Sequence, residues 1–121
     1  KRDFTYIDDI SEAIKLCCFK KAFIDENFDY EIPTIASSFA PFRIFNIGNS
    51  KPINLMEFIE SIEKTLGKKA IKQFKPLQPG DAISTYADVR RLEKWIKYKP
   101  KFALDQGVKL FINWYRNYYE Y

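Results

Sequence analysis

Histidine is absent from the 121-residue chain, and its two cysteines, Cys17 and Cys18, are neighbours in sequence. A Cys/His zinc site and a disulfide scaffold are both excluded, and no imidazole is on hand as a general base. Glycine is scarce, with four residues. They form no Gly-rich phosphate loop opening a helix and no G-x-S-x-G elbow, and the Walker lysine motif is missing too. No apolar run is long enough to cross a bilayer, and no stretch reads as a signal peptide. With two unpaired thiols, this points to a reducing cytoplasm. The first residue is Lys1, and Arg2-Asp3-Phe4-Thr5-Tyr6-Ile7 already reads as a strand leading into a helix. Domain boundaries fall in polar linkers, so the expectation is a piece of a longer protein.

What is present is apolar and aromatic. Hydrophobic residues make up 46% of the chain and aromatic residues 17%, which suits a dense core or a ligand-lined cleft. The length is that of one modest domain. The net charge of +4 is spread along the chain, with mild concentrations at Lys68, Lys69, Lys72 and Lys75 and at Arg90, Arg91 and Lys94. This accommodates a phosphorylated ligand without demanding nucleic acid, and most of these charges read as solvated helix faces.

Periodicity predicts four helices. Asp8 is placed to cap the first, over about Asp9 to Ala22, where Ile10, Ala13, Ile14 and Cys17 recur at helical spacing; the two cysteines are expected to be small buried hydrophobes. Residues 25–41 are irregular, broken by Pro33 and Pro41. Residues 43–48 read as a strand. Asn54 caps the second helix, with Glu57 completing a capping box and Gly67 ending it. Ile71 to Leu77 and Ser84 to Ala87 are expected to be extended. Asp88 caps a third helix that runs to about Lys97, and the fourth runs from Leu104 to the end. On it Leu104, Val108, Phe111, Tyr115 and Tyr118 form one stripe, expected to face the core.

Taken singly, no cluster demands chemistry. Asp8-Asp9 could act as paired carboxylates, but capping explains them. Arg2 reads as surface, and Gly80-Asp81 as a turn. The residues alone support a soluble mixed α/β binding or scaffolding lobe, not a self-contained enzyme.

The ordered set of segments is more specific. Arg2-Asp3-Phe4-Thr5-Tyr6-Ile7-Asp8-Asp9 resembles the R-D-[FYW]-x-[YH]-[VI]-x-D segment of extended short-chain dehydrogenase/reductase enzymes. Ser37 to Ser50 is similar to a later strand of that family. Pro79-Gly80-Asp81, followed by Thr85-Tyr86-Ala87-Asp88, resembles its P-G-D-x-x-x-T-x-A-D segment, and a terminal helix with Trp114-Tyr115 is typical. The combination looks most like the UDP-glucuronate 4-epimerases of bacterial surface-polysaccharide pathways.

The resemblance implies an α/β enzyme of which this chain is the mostly helical, nucleotide-sugar-binding C-terminal lobe with short strands, α+β when taken alone. It implies NAD as cofactor, taking a hydride from C4 of the sugar, and a catalytic Tyr/Lys pair. Both would belong to an N-terminal Rossmann domain that this sequence does not include, so no catalytic or cofactor-binding residue is assigned here, and the chain alone should be inactive. By residue match, Arg2 would contact the UDP diphosphate, Asp81 would accept from a ribose hydroxyl, and Thr85 would line the pocket near the sugar. Gln78 stands where more distant 4-epimerases carry a second phosphate-binding Arg, and Arg43 is a candidate to compensate. Residues 43–48 would join the sheet of the absent domain. Left unpaired, they should favour a homodimer or strand exchange. A related epimerase or 4,6-dehydratase acting on another nucleotide sugar remains open, as does a nucleotide- or RNA-binding module or a purely structural interaction domain.

Overall fold

A computed structural model of the chain describes residues 1–120. Four helices are present: α1 (Ile7–Cys18), α2 (Leu55–Leu66), α3 (Arg90–Ile96) and α4 (Leu104–Tyr119). α2 packs on α4, and α1 on α3. None of the described helices is long and apolar enough to cross a membrane.

The two ends of α2 are marked as expected, but among the described residues no hydrogen bond joins Glu57 to Asn54, so the capping box does not form. The Asn54 side chain accepts from the Met56 N–H at 3.0 Å. Gly67 ends the helix in the left-handed region at φ 68°, where a side chain is strained. At α3 the N-cap is Val89, without a capping side chain; Asp88, expected there, lies one residue earlier and accepts from the Arg90 N–H at 3.1 Å. The Arg90 guanidinium beside it holds the Asp88 carboxyl at about 2.

Other expectations fail for identifiable reasons. α1 begins at Ile7, with Tyr6 at its N-cap and no capping side chain. Asp8 lies in the first turn, and Asp9 is 2% exposed. α1 ends at Cys18, which is exposed, with Cys17 only half-buried, so the thiols are not core residues. The expected strands at 43–48, 71–77 and 84–87 do not form. Among the described residues there are only two isolated antiparallel bridges, Arg2–Ile53 and Ser37–Arg43. A strand is defined by its neighbours' hydrogen bonds, and these segments find at most one or two each.

The α4 stripe is only half covered. Gly107, Val108 and Ile112 are buried, whereas Phe111, Trp114, Tyr115, Tyr118 and Tyr119 are between 42% and 66% exposed. Their rings pack on one another instead, with Trp114 stacked on Tyr118 at 5.4 Å. The same imbalance runs through the molecule: its buried hydrophobic residues are Ala13, Val89, Leu92, Val108 and Ile112. The accessible surface is 9700 Å² for 14.4 kDa, against about 6,800 Å² expected of a self-contained monomer of that mass.

Polar ties do much of the joining. The Ser61 hydroxyl donates to Asp105 at 2.6 Å, linking α2 to α4. Phe4 stacks on Phe58 with ring centroids 4.1 Å apart. Glu63, on the apolar side of α2 and 5% exposed, accepts from the Ala70 N–H at 3.0 Å and from Lys69 Nζ at 2.8 Å, and pairs with Lys72. Hydrogen bonds from Lys69, Lys72 and the Ala70 N–H lower its carboxyl from an ordinary 4.5 to about 2. A depressed carboxyl contributes stability that is fully present above pH 4.5 and is lost as pH falls through about 2. Glu63→Gln is therefore expected to flatten the fall of the thermal midpoint across that window. An unchanged acid slope would assign the fall to other groups.

Candidate functional site

The entering segment, residues 1–3, is the organising element of the site. Successive backbone polar groups of an extended segment point to opposite sides, and this one is bonded on both. Arg2 exchanges both backbone hydrogen bonds with Ile53, at 2.9 and 2.8 Å. On the other side, the Thr85 N–H donates to the Lys1 carbonyl at 3.2 Å, and the terminal amine of Lys1 donates to the Ile83 carbonyl at 2.9 Å. Arg2 and Thr85 are thus carried on adjacent, paired segments.

Asp81 lies four residues before Thr85. Its N–H donates to the Gln78 carbonyl at 3.1 Å, closing a turn in which Gly80 adopts φ 90°. Asp81 is exposed on that turn; Arg2 is half-buried, and the Arg2 guanidinium donates to the Lys1 carbonyl at 3.0 Å. Arg43, the candidate to compensate for Gln78, lies elsewhere. It donates to the Phe42 and Ile24 carbonyls and sits over the rings of Phe23, at 5.3 Å, and Trp95, at 5.8 Å. Those contacts give it a packing role in the 23–45 region.

Two carboxylates escape a reading by residue type. The Asp3 carboxylate accepts four backbone N–H bonds: from Asn49 (3.2 Å) and Lys51 (3.3 Å) on Oδ1, and from Ser50 (3.0 Å) and Ala87 (3.0 Å) on Oδ2. The Asp3 N–H donates to Thr85 Oγ1 at 3.0 Å. Ser50, at φ 54°, adds a 2.6 Å bond from its hydroxyl to the Ala87 carbonyl. The signals available in the sequence are the place of Asp3 in the R-D-[FYW] segment and a Gly-Asn-Ser turn at residues 48–50.

The second is Asp9. Its buried carboxylate accepts from the Tyr98 hydroxyl at 2.5 Å and from the N–H groups of Lys101 and Phe102 at 2.9 and 3.1 Å. It anchors the approach to α4 on α1. Burial and this carboxylate push the Tyr98 hydroxyl well above its ordinary value of 10.0. The expected cap at Asp8-Asp9 is therefore replaced by a buried joint at Asp9.

An apolar cleft of about 310 Å³ opens beside these elements, lined by Phe4, Tyr6, Phe58, Phe102, Val108 and Phe111 among others. Residues 55–74 enclose a second groove of about 430 Å³, with Ile59, Leu66 and Phe74 in its walls. Neither contains Arg2, Asp81 or Thr85.

No family model matches the chain. It is 46% identical to Protein CapI of Staphylococcus aureus, over 98% of this chain and 36% of that protein. It is 38% identical to a probable UDP-glucuronate 4-epimerase of Rhizobium meliloti, over 98% of this chain and 35% of that protein. The fold matches UDP-glucuronic acid 4-epimerase from Bacillus cereus in complex with UDP-glucuronic acid and NAD. The TM-score is 0.72 at 26% identity, covering 97% of this chain and 32% of that one. The chain spans about a third of the length of the curated relatives it matches. In sequence and in fold, the chain is similar to about a third of the length of UDP-glucuronate 4-epimerases.

Proposed function

We propose that the chain is the substrate-binding lobe of an NAD-dependent epimerase that interconverts UDP-glucuronate and UDP-galacturonate in the cytoplasm, supplying precursors for surface polysaccharide. Arg2 binds the UDP diphosphate, for which a guanidinium has the right planar geometry. Asp81 accepts from a ribose hydroxyl, and Thr85 flanks the sugar. NAD and the catalytic groups reside in a dinucleotide-binding domain that this lobe does not contain. That domain would cover the bare apolar faces; the chain's total accessible surface exceeds that of a self-contained monomer by about 2,900 Å², the scale of a large obligate interface. The observation that carries the reading is the pairing of residues 1–3 with 83–85, which brings Arg2 and Thr85 to one edge. Residues 43–48, tied to residues 36–37 by the Ser37–Arg43 bridge and the Ile44 N–H bond to the Ala36 carbonyl, would complete their pairing in the sheet of that domain. Without it they would turn to a second copy of the chain.

Two measurements test this. Incubated with NAD and UDP-glucuronate, the 121-residue chain is expected to form no UDP-galacturonate, and turnover at an ordinary enzyme rate would refute the assignment of the chemistry to the other domain. In the full-length enzyme, Arg2→Ala is expected to raise KM with a transition-state loss of about 1.5–3 kcal/mol, the value of a charged hydrogen bond. An unaltered KM would remove Arg2 from the site.

A further inference from the structure

We propose that Asp3 is the positioning residue of this site, a carboxylate that sets Arg2 in register with the 81–87 segment without touching the nucleotide. The inference rests on the reading of Arg2 as the diphosphate ligand. The Arg2–Ile53 bridge fixes one side of the segment, and on the other side the backbone bonds to residues 83–85 end at Lys1, before Arg2. Asp3 extends that second side past Arg2 with its side chain and its backbone together. Its two oxygens accept from residues 49–51 and from Ala87, while its N–H is received by Thr85 Oγ1. Four N–H donors fill the acceptor capacity of one ionised carboxylate. Gly48 is part of the same joint, since it lies against both Asp3 and Ala87. Thr85 accordingly plays a second part, with its hydroxyl oxygen committed to the backbone of the residue after Arg2.

Charge and shape make the role testable. Asparagine has the outline of aspartate, but one of its two ends is a donor and would confront N–H groups. Asp3→Asn therefore displaces Arg2 while leaving the guanidinium in place. The readouts, in the full-length enzyme, are the inhibition constants of UDP and of uridine, together with KM and kcat. UDP carries the diphosphate and uridine does not. Asp3→Asn is expected to weaken UDP at least about ten-fold and to raise KM similarly, with uridine and kcat within about two-fold of the parent. Adding Arg2→Ala to Asp3→Asn should change UDP affinity little further, because the two act as one unit. Thr85→Val should weaken UDP about three-fold, and Thr85→Ser should restore it. If Asp3→Asn fails to fold, the Thr85→Val and Thr85→Ser pair decides. A loss shared equally by UDP and uridine, or no loss in a folded Asp3→Asn enzyme whose Arg2→Ala counterpart binds UDP poorly, overturns the positioning role alone. Full UDP affinity in Arg2→Ala itself overturns the site reading on which it rests.

Discussion

Replacing Asp9 with alanine is expected to lower stability by about 4 kcal/mol, the largest single-residue effect outside the apolar core. The magnitude follows from what the substitution strands. Three donors converge on this carboxylate, the Tyr98 hydroxyl and the N–H groups of Lys101 and Phe102, at a residue 2% exposed. Each buried donor left unpaired costs about 1–3 kcal/mol. Tyr98→Phe is the informative contrast: it removes one donor and leaves Asp9 held by the other two, so its cost should be near 1 kcal/mol. Urea unfolding of the two variants gives the comparison. Equal losses would mean that the hydroxyl bond, not the backbone anchor, carries the energy.

Gly48→Ala is expected to be the more damaging change for the site. A methyl built on Gly48 would overlap the Ala87 side chain and lie 3.1 Å from Asp3 Oδ2. Neither neighbour is free to retreat, since Ala87 and Asp3 are bonded to each other. Overpacking a fixed contact costs about 1–3 kcal/mol, and relief would come from prising the 48–50 turn off Asp3. The expected result is a drop in midpoint together with raised exchange at the amides of Asn49, Ser50 and Ala87. Ala87→Gly should rescue much of it by making room. Hydrogen exchange on the single and double variants checks this, and failure of the rescue would place the clash elsewhere.

The helices are legible in the sequence because their signals are local. Asn54 and Gly67 bound α2 as capping chemistry requires, and the stripe of α4 has the spacing its sequence predicts. What sits on the stripe is not legible. Periodicity states which residues share a face, not whether anything covers it, and Phe111 and Tyr118 share a face with Val108 while remaining in solvent. Strands fail for the related reason that 43–48 and 71–77 have the composition of strands, but among the described residues the first finds a backbone partner only at residues 36–37 and the second finds none. At the site, Arg2 and Thr85 are named by the resemblance, and the residues of this chain alone do not single them out. Asp3 and Asp9 cannot be assigned from residue type. An aspartate near a helix start reads as a cap, and only the distant donors at residues 87 and 98–102 reveal that each carboxylate joins parts of the chain more than eighty positions apart.

The two tryptophans stand in unlike surroundings. Trp95 lies under Lys20 at 4.5 Å and against Phe23 and Phe45, so its surroundings are groups of its own lobe. Trp114 sits on the uncovered half of α4, 52% exposed. Its emission therefore senses water. If a second protein surface closes over α4, Trp114 alone should move to shorter wavelength, giving an optical measure of docking that needs no attached label.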